Sequence, residues 1–207
     1  LGAAATASAG HYDDAELSRT TAGNLIIGGT LAGTIDVEGI ALTDIANIND
    51  KVTLKALVDD AVINFTTATS TFKSLTAESD DGITVNFDVT TTTGDLILEA
   101  DADNTEDTDI TGDRVLLQNA SVLSSGNDLI IDATTGGVTS VGVLTLEANR
   151  HIIINDALNA AADVVLQTDK NNSGVGSIQT ASAIDTDNNN LTIITSDLAL
   201  SDTITTG

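Results

Sequence analysis

No cysteine, proline, methionine or tryptophan occurs in the 207 residues, and there are only three phenylalanines and one tyrosine. Without cysteine there is no disulfide framework and no thiol chemistry. With aromatics at 2% of the chain, a thick core is hard to fill, whereas a thin one of stacked Leu, Ile, Val and Ala is not. Basic residues are scarce as well. Seven Lys and Arg stand against 31 Asp and Glu, for a net charge of −24. That balance argues against nucleic acid and against anionic membrane surfaces, both of which need basic patches. No apolar run approaches the ~18 residues of a membrane span, so no membrane insertion is expected. The lack of methionine, even at residue 1, is expected of a processed chain or of a piece of a longer one. An acidic, aromatic-poor chain invites a reading of disorder. The 41% of hydrophobic residues and their periodic placement argue against it.

What the chain does have is a row of very short apolar segments. Between Asn127 and Asp169 lie Leu129-Ile130-Ile131, Val141 to Leu146, Ile152-Ile153-Ile154 and Val164-Val165-Leu166, separated by Asn, Asp, Gly, Thr and Ala. Runs this short, rich in β-branched residues and bounded by turn formers, read as strands. They are too close together for helical crossovers. Antiparallel hairpins or a stacked coil remain. No consistent Asn-Gly or Asp-Gly hairpin turn is present, which favours the coil.

The same pattern extends over most of the chain. Strands are expected at Leu25–Ile27, Thr34–Val37, Ile40–Leu42, Val52–Leu57, Val62–Phe65, Phe72–Leu75, Ile83–Phe87, Leu96–Glu99, Val115–Leu117, Val122–Leu123, Ile193–Ile194 and Leu198–Leu200. Val52-Thr53-Leu54-Lys55-Ala56 alternates with period two, one face buried and one wet. Asn or Asp precedes Leu at Asn24, Asp95, Asp128 and Asn190. The intervals Leu96 to Leu116, Leu129 to Leu146 and Leu146 to Leu166 centre near one solenoid coil. At ~22 residues per coil the chain makes about nine coils, a rod of roughly 40 to 45 Å at ~4.8 Å per stacked strand. Asn and Thr are expected to stack in ladders along it. Residues 1–23, opening on LGAAATASAG, read as a small-residue connector or junction, and 24–207 as the solenoid. Within the connector, Asp13 and Glu16 have capping-box spacing for one helical turn.

The phrases GNDLIIDATTGG, VLTLEANRHIIINDALNAAADVVLQTD and NNNLTIITSDLALSDTI resemble the repeats of filamentous-haemagglutinin-type large bacterial exoproteins. The likeness runs from about Asp95 to the C-terminus. It implies an all-β, right-handed, single-stranded parallel β-helix, secretion to the bacterial cell surface, and service as an adhesin or extended fibre. The glycine-rich turns of that family are thinner here, with Asp, Asn and Thr in their place.

Chemistry-bearing residues are few. Asp101 to Asp113 (DADNTEDTDITGD) packs six acidic residues into one loop, and Asp185 to Asn190 (DTDNNN) forms a second polar turn. Asp101, Asp103, Asp107, Asp109 and Asp113 in the first, and Asp185 and Asp187 in the second, are the candidate calcium ligands. Calcium takes six to eight hard oxygens, and Gln118 and Ser196 stand where a bidentate Glu would complete each loop. The competing reading is a solvated acidic turn. His11 and His151 are too few for a zinc site. An enzyme is not expected. A polysaccharide lyase would need tuned carboxylates and rings for sugars to stack on, and a serine hydrolase would need a nucleophile elbow, which is missing. The sequence therefore reads as a structural segment of a secreted surface protein, a rigid rod or a head-to-tail filament. Its partner is either further copies of itself or, for a monomeric adhesin stalk, a cell-surface ligand. The C-terminal stretch Leu198 to Gly207 is strand-like and uncapped, which is expected if the chain continues or if copies stack on it.

Overall fold

In the computed structural model, which describes residues 1–2, 11–104 and 112–206, the chain is a single-stranded parallel β-solenoid of about eight coils. One short helix, α1 (Asp14–Arg19), precedes the first coil. That coil holds β1 (Leu25–Gly29) and β2 (Ile35–Val37). Three strands make up each of the next six. They are β3 (Val52–Ala56), β4 (Ile63–Phe65) and β5 (Ser70–Phe72), then β6 (Leu75–Ser79), β7 (Ile83–Val85) and β8 (Val89–Thr91), then β9 (Leu96–Glu99), β10 (Val115–Leu117) and β11 (Ser121–Ser125). The series continues with β12 (Leu129–Asp132), β13 (Val138–Ser140) and β14 (Leu144–Ala148), then β15 (His151–Ile154), β16 (Leu158–Ala160) and β17 (Val164–Gln167), then β18 (Ser177–Thr180), β19 (Ile184–Asp185) and β20 (Leu191–Ile194). The last coil holds β21 (Asp197–Leu200) and β22 (Ile204–Thr205).

Each strand pairs in parallel with its counterpart one coil away, which generates three sheets. The first runs β1-β3-β6-β9-β12-β15-β18-β21, the second β2-β4-β7-β10-β13-β16-β19-β22, and the third β5-β8-β11-β14-β17-β20. Seven steps of about 4.8 Å make a rod of roughly 34 Å, shorter than the nine coils expected. The difference lies in coil length. Leu129 stacks on Ile152, 23 residues on, but Leu96 stacks on Leu129, 33 residues on, because the acidic loop is inserted in that coil.

Alternation decides which residues meet. Leu54, Ala77, Leu98, Ile131 and Ile154 follow one another inside the first sheet, each fully buried. Their neighbours Ile97, Ile130 and Ile153 point outward and are only partly covered. The core is thus one apolar column per inward position, filled chiefly by Leu, Ile, Val and Ala, with Phe65 and Phe72 as its bulkiest members. Hydroxyls line one inner corner. Thr91 and Ser125 oxygens lie 3.4 Å apart, and Thr168 donates to Thr195 at 2.7 Å, with Ala148 interrupting the series. Asn side chains instead pair with Asp of the neighbouring coil, as where Asn127 donates to Asp95 at 2.6 Å.

Many of the tight turns are made by residues other than glycine. Asp60, Asn104, Asp113, Asp169, Asn172, Asp187 and Asn188 all take positive φ, along with Thr67. Asn and Asp are the side chains that best tolerate this region. Three expected strands need correction. Val141 to Leu146 is a strand only from Leu144, with Val141 and Val143 exposed at a corner. Phe72–Leu75 is two strands on different sheets, with a corner at Lys73-Ser74. Ile40–Leu42 is not a strand, although Ile40 is buried.

The N-terminal end is covered only in part, with Leu25 and Ile27 of β1 left half-buried. Asp13 and Glu16 form the expected capping box of α1, which buries Leu17 against the core. The backbone of Leu1 bonds to Asp36 and Glu38 alongside β2. At the other end the described residues cover the core incompletely. The inward side chains Leu191, Ile193, Leu198, Leu200 and Ile204 are partly or largely exposed, although the residues beneath them are buried. No helix among the described residues is long and apolar enough to cross a membrane.

Candidate functional site: a carboxylate corner

The corner between the first and second sheets gathers acidic side chains. Lys55, Glu78, Glu99 and Asp132 occupy the same outward position on β3, β6, β9 and β12 and stack in register. Neighbours in such a column stand about 4.8 Å apart. Lys55 Nζ pairs with Glu78 Oε2 at 2.5 Å, and the charge compensation stops there. No lysine or arginine among the described residues pairs with Glu99. Asn155 continues the column, donating from Nδ2 to Asp132 Oδ2 at 2.5 Å.

Two further carboxylates enter from the turns. Asp101, just past β9, is wholly buried. Its Oδ2 accepts from the Thr135 amide at 2.9 Å, and its Oδ1 accepts no hydrogen bond. Asp156, past β15, accepts from the Ala133 amide at 2.6 Å.

These surroundings raise proton affinity. Burial pushes the Glu99 carboxyl up to about 7; the charges of Asp132 and Asp101 add to this, and the Asp101 amide opposes it. Burial likewise raises Asp156. The Ala133 amide works against that, while the charges of Asp132 and Asp101 reinforce it. The corner is therefore a place where the Glu99 carboxyl holds its proton close to neutral pH and the Asp156 carboxyl holds its own more tightly than usual.

Of the expected calcium ligands, Asp101 belongs to this corner. Asp103 is exposed in the turn that follows, and Asp113 is buried at the head of β10. Asp107 and Asp109 lie outside the described residues. Asp185 and Asp187 are exposed, and Asp185 Oδ1 accepts from the Asp187 amide at 3.0 Å in a local turn. No group of three or more His, Cys, Asp or Glu among the described residues is placed to hold a metal ion. His151 has both ring nitrogens engaged, Nδ1 2.8 Å from Ser177 Oγ and Nε2 3.3 Å from Arg150.

Sequence reasoning missed Glu99, Asp132 and Asp156. The signal was available in the phrases DLILEAD, DLIIDAT and HIIINDA, which superpose Glu99, Asp132 and Asn155 once Leu96, Leu129 and Ile152 are aligned. The comparisons with known proteins add no name to this geometry: no protein-family model matches the chain, and no curated protein or solved structure matches it significantly.

Proposed function

We propose that this chain is a structural rod of a secreted bacterial surface protein, and that copies of it stack end to end into an extracellular filament. One observation carries the reading. Among the described residues, the C-terminal face leaves Leu191, Ile193, Leu198, Leu200 and Ile204 partly or largely exposed, bordered by the edge strands β20, β21 and β22. Exposed strand edges over an apolar face are templates for pairing. The partner edge is β1, at the opposite end of the same eight-stranded sheet as β21. Joining β21 to β1 of the next copy extends that sheet without changing its strand direction. Such a head-to-tail contact is heterologous and open, so it propagates instead of closing. The acidic, cysteine-free composition suits a soluble fibre exposed to the outside of a cell.

Analytical ultracentrifugation and negative-stain microscopy test this on the parent chain and on an Ile193→Lys/Leu198→Lys variant. Linear species that lengthen with concentration are expected for the parent, and single rods for the variant. Parent rods that stay single at high concentration would sink the filament reading and leave a monomeric stalk that binds a surface ligand. Imaging with a chelator separates calcium bridging from direct contact between copies.

A further inference from the structure

The carboxylate corner has a role that a passive rod does not require. Three consecutive coils place acidic side chains one above another, and only the first is matched by a cation. The turns add a wholly buried Asp101 with one oxygen unbonded, and an Asp156 that accepts from the Ala133 amide of the neighbouring coil. A fully ionised corner would hold four negative charges, on Glu99, Asp101, Asp132 and Asp156, in a partly desolvated place. We propose that this corner is a proton-operated latch on the rod: protonated, it clamps the turns that follow β9, β12 and β15, and ionised, it lets them part.

The groups facing it are these. From β3 and β6 come Lys55 and Glu78, already paired. Asp80, in the turn after β6, accepts from the Asp60 amide at 3.0 Å. From the coil of β9 come Glu99, Asp101 and Asp103, and from that of β12 comes Asp132, whose Oδ1 also accepts from Thr134. Asn155 and Asp156 complete the set from the coil of β15. Glu106, Asp107 and Asp109 of the same loop lie outside the described residues.

The sign follows from linkage. Glu99 and Asp156 bind their protons more tightly folded than unfolded. The unfolded chain therefore loses them first as pH rises, and stability falls across the interval between the two values. For Glu99 that interval runs from the ordinary 4.5 to about 7. Below it the contribution is complete, and above it the contribution is lost.

The test combines a direct titration with an opening measurement. Carbon-detected NMR of the side-chain carboxyls is expected to show Glu99 titrating close to neutral. A midpoint below about 5.5 would overturn the proposal. Hydrogen exchange, corrected for intrinsic rates, reads opening of residues 96–101 and 129–134. The opening constant is expected to rise about tenfold between pH 5.5 and 8, allowing for solvent screening of the half-exposed Glu99. Glu99→Gln is expected to remove most of that rise, whereas Glu78→Gln leaves it in place. An unchanged rise in Glu99→Gln would overturn the latch. So would saturable closing of the corner by millimolar calcium at pH 8 with no proton dependence, since the corner would then be a cation site.

Discussion

Ile131→Ala is expected to cost about 2 to 5 kcal/mol, the range for removing a fully buried Ile side chain, while Ile130→Ala costs less than about 1 kcal/mol. The two residues are adjacent and identical. Ile131 sits between Leu98 and Ile154 inside the first sheet, and all three are wholly buried. Ile130 sits between Ile97 and Ile153 on the outer face, each partly covered by solvent. The cavity left at Ile131 has no soft neighbour to fill it, because every adjacent coil places its own side chain at the same height. Urea unfolding of both variants measures the difference, compared at constant slope. Equal losses would mean that the register is wrong by one residue, since such a slip exchanges the two faces.

The second large effect is expected at a corner. A Cβ added to Gly126 would lie 2.4 Å from the carbonyl carbon of Thr92 and from the nitrogen of Thr93, one coil back. Both atoms are backbone, so neither swings aside. Gly126→Ala should therefore destabilise the rod by about 1 to 3 kcal/mol, as overpacking does. Gly23 provides the contrast, having no atom within 4 Å of the same position and no positive φ. Gly23→Ala should stabilise by about 0.4 to 1 kcal/mol by restricting the unfolded chain. Thermal melts of the pair read the sign of each change. If Gly126→Ala melts with the parent, the coils do not approach at that corner as described.

How far the sequence could be read depends on the element. The apolar triplets at Leu129, Ile152 and Val164 were plain because every inward position holds a large aliphatic residue. β8, β13, β16 and β18 were not read, since their inward residues include Thr91, Ser140, Ala160 and Thr180. Near a corner the rod narrows, and small or hydroxyl side chains fill it without an apolar signature. Spacing misled as well. Leu116 seemed the counterpart of Leu96, yet it points outward between Thr84 and Thr139 on the second sheet. The true counterpart, Leu129, was hidden by the inserted acidic loop. Leu146 and Leu166 do stack, as their spacing suggested. The capping box of α1 needs only four consecutive residues and was legible in full. The carboxylate corner draws its members from three coils, so it could not be seen before the register was known.

Parallel stacking also fixes how the rod meets force. Its ladder hydrogen bonds lie along the long axis, so tension applied end to end loads them by opening, one coil at a time. A coil contributes about 4.8 Å while stacked. Successive counterparts in the first sheet are 20 to 33 residues apart, which at about 3.3 Å per residue is roughly 65 to 110 Å of chain when peeled away. Each coil therefore lengthens more than tenfold on release. A strand of such rods anchored to a cell would stretch in discrete steps before it broke, absorbing a sudden pull much as a mooring line does.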